Sequence, residues 1–207
     1  DDRVVFNLSG KFEKRKNHKK IIQAWIKKFG NNKKYFLQCC IYNHFLSEKQ
    51  NRDLFIDAVD GQTVFNVQFL GHMPTNALYN DYLNSCNVMI GMSGAEGWGL
   101  PEFQSVALGK HAVILNAHSY KEWANAENSV LVNPKGKEPA YDGIFFHKGQ
   151  EWNQGNIFTF DDDDFISGCE EAIKRVEKHR VNQEGLKLQK EFSLDKTLDK
   201  LLPLITE

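Results

Sequence analysis

The chain has 207 residues, enough for one sizeable buried core and too many for a small scaffold stapled by disulfides or metal. Its 26 basic and 27 acidic residues nearly cancel, so no global field recruits polyanions, nucleic acid is not an expected partner, and any phosphate recognition has to be local. No run approaches the roughly twenty apolar residues of a membrane-spanning helix. Asp1, Asp2 and Arg3 do not begin a signal peptide, and the four cysteines (Cys39, Cys40, Cys86, Cys169) are not spaced as a zinc knuckle. They read as reduced, buried thiols of a cytoplasmic protein.

Residues 4–8, Val-Val-Phe-Asn-Leu, read as a buried strand with no lead-in, which is expected of a domain cut from a longer protein. After a loop opened by Gly10, Ile21, Ile22, Trp25, Ile26 and Phe29 recur on one helical face up to Gly30. The unit repeats. Residues 35–42 form a second strand, and Ser47 caps a helix carrying Leu54, Phe55, Ala58 and Val59. A third strand is expected over 64–70, a helix over 77–86 and a fourth strand over 88–92. A glycine-rich loop, 93–99, precedes a helix ending at Gly109, and strands follow at 112–115 and 130–132. Residues 134–155 lack any period and read as a long surface loop, and the chain is helical from Asp161 onward. Alternating strands and helices predict a doubly wound, Rossmann-like α/β domain with a parallel sheet, spanning 1–207.

In such sheets ligands bind beyond the carboxyl ends of the strands. That rule selects the loops 9–17, 43–47, 71–75 and 93–101. The first, Gly10-Lys11-Phe12-Glu13-Lys14-Arg15-Lys16-Asn17, groups cations between a strand and a helix N-terminus, both of which favour phosphate. Lys11 and Lys16 are the candidates there, whereas Lys19, Lys20, Lys27, Lys28, Lys33 and Lys34 read as a solvated face. The last, Ser93-Gly94-Ala95-Glu96-Gly97-Trp98-Gly99-Leu100-Pro101, opens a helix with three glycines, so backbone amides can approach a ligand. Glu96 inside it would repel phosphate, and a carboxylate there suits a polyhydroxylated group such as a sugar.

With these motifs the chain resembles, over nearly its whole length, the C-terminal domain of GT-B glycosyltransferases of the retaining family-four kind. The pair Gly10-Lys11 with Lys16-Asn17, the Ser93 to Pro101 loop with Gly109 beyond, Gly71 and Tyr79 carry the likeness. The resemblance implies a donor-binding half that transfers sugar from a nucleoside-diphosphate sugar to an acceptor hydroxyl. Retention, with neither metal ion nor cofactor, and a role in glycan synthesis are implied with it. Lys11 and Lys16 would neutralise the diphosphate, and amides of Gly97, Trp98, Gly99 and Leu100 would cap it. Glu96 would hold sugar hydroxyls. Gly10, Gly71 and His72, the main chain over 70–73, and Tyr42 and Asn43 would border the nucleotide. The family usually has a second glutamate eight residues after the first to grip ribose, and here that residue is Gln104. Glu102, two positions earlier, points to another side of the helix.

The acceptor, whether glycan, lipid or protein, and any membrane contact would belong to an N-terminal domain absent from this chain. The rival readings are a non-catalytic nucleotide or sugar-phosphate binding module, and a sugar-phosphate synthase or epimerase on the same architecture. The acidic run 161–164 reads as a helix N-terminus rather than a metal motif. The histidines form no zincin pair, and His72, His111 and His118 are the ones that could line the cleft.

Overall fold

The computed structural model describes residues 2–153 and 155–205. Six parallel strands make the central sheet: β1 (Val4–Ser9), β2 (Tyr35–Cys40), β3 (Val67–Phe69), β4 (Val88–Gly91), β5 (His111–Leu115) and β6 (Val130–Val132). Their order is β3-β2-β1-β4-β5-β6, so the chain reverses direction across the sheet between β1 and β4. That switch point leaves a crevice beyond the strand ends, between loops that diverge to opposite sides.

Helices cover both faces: α1 (His18–Phe29), α2 (Glu48–Ala58), α3 (Asn76–Ser85), α4 (Leu100–Ala107) and α5 (Asp162–Lys178), followed by α6 (Gln183–Glu191) and α7 (Leu194–Ile205). Ile21, Ile22, Trp25, Ile26 and Phe29 bury the expected face of α1 against β1, where Phe6 meets the Trp25 ring edge-on at 5.9 Å. Ser47 and Gln50 close a capping box on α2. Asp161 caps α5, accepting from the Asp163 amide, and pairs with Lys135 at 2.6 Å. The acidic run thus serves a helix start. All four cysteines are free; Cys39, Cys86 and Cys169 are buried, whereas Cys40 is only half-buried. Among the described residues no helix is long and apolar enough to cross a membrane.

Two expectations need correction. The third strand is confined to β3: the Asn66 carbonyl accepts from the Leu37 amide (2.9 Å) where β3 begins, and its side-chain amide donates to the carbonyls of Phe29, Asn32 and Tyr35 at 2.8, 3.1 and 2.9 Å. The segment before β3 is therefore pinned to the end of α1 instead of pairing as a strand. The supposed loop over 134–155 contains β7 (Gly136–Pro139), which pairs antiparallel with β8 (Asn156–Thr159). Strand β7 is largely exposed and carries no apolar alternation, so periodicity could not reveal it.

This hairpin bears directly on the glycine loop. Gly94 receives a hydrogen bond from the Phe158 amide (2.9 Å) and donates its own amide to the Arg15 carbonyl (2.7 Å). A Cβ at Gly94 would lie 2.5 Å from the Phe158 carbonyl oxygen. Gly94→Ala should therefore force β8 away and cost about 1–3 kcal/mol, the usual range for overpacking, read as a lower urea midpoint with unchanged slope. An unaltered midpoint would show that the hairpin yields freely.

Candidate functional site

At the end of β1 the backbone turns at Gly10 (φ 113°) and enters a short 3₁₀ turn, Lys14–Lys16, before Asn17, in the left-handed region, starts α1. The turn aims Lys16 back at the crevice. A Cβ at Gly10 would lie 3.1 Å from Lys16 Nζ, so glycine gives the ammonium its place. Lys16 is 7% exposed and forms an ion pair with Glu96 from the loop after β4. Arg15 joins it, with Nη1 at 3.1 Å from Glu96 Oε1 and donating to the Ala95 carbonyl at 2.8 Å. Arg15 Nε and Lys11 Nζ share Glu13, each at 2.9 Å. Lys11 also stands over the Phe45 ring (4.7 Å) and near that of Phe145 (5.8 Å), bringing the 140s segment over the crevice mouth.

The two loops are stitched further by side-chain bonds to main-chain carbonyls. Asn17 Nδ2 donates to the Met92 carbonyl (2.8 Å) and Ser93 Oγ to that of Arg15 (3.1 Å). From beyond β5, Ser119 Oγ donates to the Glu96 carbonyl (2.8 Å) and His118 Nε2 to that of Ser93 (2.8 Å). Burial alone would raise the Glu96 carboxyl, but the charge and hydrogen bond of Lys16, with help from Ser93 and Arg15, hold it below its ordinary value. It is ionised at neutral pH. His18, beneath the loop, is buried and lowered to about 3, so it stays neutral.

The loop then reaches α4 through Gly97, Trp98 and Gly99, with Pro101 in the first helical turn. The amides of Gly97, Trp98, Gly99 and Leu100 donate to no group among the described residues, and Gly97 and Leu100 are exposed. They form a row of donors at the positive end of a helix, beside two cations. The Trp98 ring points elsewhere, packing on Phe103 and Phe192 at 5.6 and 5.4 Å while its carbonyl accepts from Trp123 Nε1. Gln104 lies one turn along α4, exposed. Gly71 and His72 stand beyond β3, two strands from β1 and so about 10 Å across the sheet. His72 Nδ1 meets His44 Nε2 at 3.0 Å.

The structure thus brings Lys11, Lys16, Glu96, Gly10 and the 97–100 amides to the crevice, with Gly71 and His72 at its far side. It removes two others. Asn43 is buried, its side chain holding the Phe12 carbonyl and the Phe45 amide, so only its neighbour Tyr42 remains for a ligand. His111 sits at the opposite end of β5, with Nε2 on the His179 carbonyl (2.7 Å), away from the strand ends that form the crevice. Sequence reasoning overlooked Arg15, which stands among the cations of the first loop, and set Glu102 aside as facing away from Gln104 without seeing that it is buried. Glu102 is 2% exposed, and burial drives its carboxyl up to about 7 against the pull of Lys16. Among the described residues no group of three histidine, cysteine or acidic side chains is placed to hold a metal.

No family model matches the chain, and no curated protein matches it. Solved structures do. The C-terminal domain of LpcC, a glycosyl transferase group 1 family protein from Francisella tularensis, superposes with a TM-score of 0.63 at 15% identity, over 91% of this chain and 85% of that one. HepE of Anabaena, solved with UDP-glucose, gives 0.70 at 13% identity, over 100% of this chain and 49% of its own. Sucrose-phosphate synthase from Thermosynechococcus elongatus gives 0.62 at 16% identity, over 99% and 45%. The chain spans about half the length of the latter two proteins. Its fold is the Rossmann-like α/β fold of GT-B glycosyltransferase C-terminal domains.

Proposed function

We propose that this chain is the donor-binding half of a glycosyltransferase, holding a nucleoside-diphosphate sugar in the crevice between the β1 and β4 loops. The observation that carries the reading is the convergence, at the sheet's switch point, of Lys11, Arg15 and Lys16 with the row of amides at the start of α4 and one ionised carboxylate, Glu96. Cations and helix amides are what a diphosphate requires, and a carboxylate among them fits sugar hydroxyls. That HepE was solved with UDP-glucose makes a uridine donor the first to test.

In this reading the diphosphate lies across Lys11, Lys16 and the 97–100 amides, with its nucleoside directed toward Gly71 and His72. Transfer breaks the bond between the anomeric carbon and the β-phosphate oxygen, and the electron pair leaves with the diphosphate. The acceptor hydroxyl bonds to that carbon on the same face and passes its proton to the departing diphosphate oxygen. The charge that grows on the leaving oxygen is met by fixed cations and amides, which stabilise it more in the transition state than in the ground state. Divalent metal is not needed in this scheme. The acceptor would be positioned by a second domain, as the double length of HepE suggests, and the isolated chain would bind donor without transferring it. Gln104, uncharged at the expected ribose position, would also suit a module that binds and never transfers; labelled donor with the complete protein separates the two.

Lys16→Ala should weaken UDP binding by about 1.5–3 kcal/mol, roughly 10- to 150-fold, in calorimetry on the folded chain. Equal affinity in Lys16→Ala and in the Lys11→Ala, Lys16→Ala double variant to that of the parent would remove the diphosphate from this loop.

Glu96→Gln should behave oppositely toward nucleotide and sugar. Relieved of a carboxylate that competes for Lys16, it should hold UDP as well as the parent or tighter, yet lose the extra affinity for UDP-glucose over UDP. Parallel losses for both ligands would contradict the assignment of Glu96 to the sugar.

A further inference from the structure

Beneath the glycine loop sits a carboxyl that the proposed reaction does not use. Glu102 occupies the first turn of α4 and faces the sheet: its Cγ would touch a Cβ placed on Gly91 (2.7 Å), and its Oε2 lies 3.1 Å from the Cβ position of Gly99. Oε2 is buried and makes no hydrogen bond, and the Tyr120 hydroxyl facing it is likewise buried without a bond of ordinary geometry. The side chains that act on it come from three elements: Lys16 from the β1 loop, Glu96 from the β4 loop and Tyr120 from beyond β5, while Tyr79 of α3 feels the Glu102 charge in turn. Only Lys16 is a cation, and it is already bound to Glu96. A buried carboxylate with one oxygen left unpartnered, helped only by its own helix-start amide and the nearby Tyr120 hydroxyl, is costly to ionise.

From this arrangement we infer that donor binding and protonation are one coupled event: Glu102 takes up a proton when a diphosphate docks over Lys16. The inference rests on the donor-site reading above. In the free chain burial and the nearby Glu96 raise the Glu102 carboxyl to about 7, while Lys16 restrains the rise. A bound diphosphate adds negative charge and engages Lys16, so both changes favour the protonated carboxyl. The sign follows from linkage: a group that binds more protons in the complex makes affinity fall as pH rises through its free-state range. Two histidines also lie near the cleft floor, where burial holds His118 below its ordinary value and His18 near 3, and the Glu102→Gln variant separates their protons from that of Glu102. Glu102 acts through Lys16 and does not touch the ligand; it is a positioning residue.

The test is calorimetry of the chain with UDP-glucose, ADP-glucose and GDP-mannose. These diphosphate diesters have no ionisation of their own near neutrality. Titrations at pH 7.5 in HEPES and in Tris, buffers of different ionisation enthalpy and neither of them a phosphate, report protons exchanged. The expected result is uptake of roughly half a proton, affinity falling several-fold between pH 6.5 and 8.5, and loss of both effects in Glu102→Gln, which mimics the neutral form at every pH. Carboxyl ¹³C shifts of Glu102 in the unaltered chain, titrated with and without ligand, give the same answer should the variant fold poorly: the midpoint should rise on binding. Binding without proton uptake, uptake that persists in Glu102→Gln, or an unmoved midpoint overturns the inference and leaves the donor site standing. Failure of all three nucleotide sugars to bind overturns the donor site, and the inference falls with it.

Discussion

The ion pair between Lys16 and Glu96 is the constraint on which the rest of the site depends. It joins the loop after β1 to the loop after β4, two segments that run to opposite sides of the sheet and have no sequence reason to meet. Both partners are nearly buried, so each is committed to the other: removing one from such a pair typically costs about 3–5 kcal/mol. Arg15 makes the pair a cluster, and Glu13 draws Lys11 into it. Bonds from the Gly94 amide and the Ser93 hydroxyl to the Arg15 carbonyl then fix the loop positions independently of charge. The result is a preset cradle in which cations and helix amides face one crevice. A diphosphate entering it would exchange one anion for another at Lys16 and would not have to gather scattered lysines.

Much of this was legible in the residues. The helical face of Ile21, Ile22, Trp25, Ile26 and Phe29 is read directly, because an amphipathic helix needs one apolar stripe and those residues supply it. Buried parallel strands announce themselves as continuous apolar runs, which is why β1, β4 and β5 were placed within a residue or so. The strand-end rule then picked out both loops that meet in the cluster.

What the sequence hid was decided by tertiary contact. Asn66 looks like a polar residue inside a strand, and only its three carbonyl partners from two distant elements show why the strand stops short. Strand β7 has no apolar alternation to detect and exists because β8 is there to pair with it. Glu102 is the sharpest case. Helical spacing correctly turned it away from Gln104, but nothing in the spacing tells that its side of the helix is the sheet-facing, dry one. A carboxyl so placed couples proton and ligand, a property carried by burial and charge together and absent from any single motif.

The central claim is that a nucleoside diphosphate lies across the β1 and β4 loops. It is tested most directly by recording amide ¹H–¹⁵N spectra of the chain during titration with UDP, with GDP and ADP as controls for the base. The account predicts saturable shifts of the Gly10, Gly97, Trp98 and Gly99 amides at a common midpoint, with Gly71 and His72 following for the preferred base. Saturable shifts that spare these amides, or none with any of the three nucleotides at millimolar concentration, would contradict it.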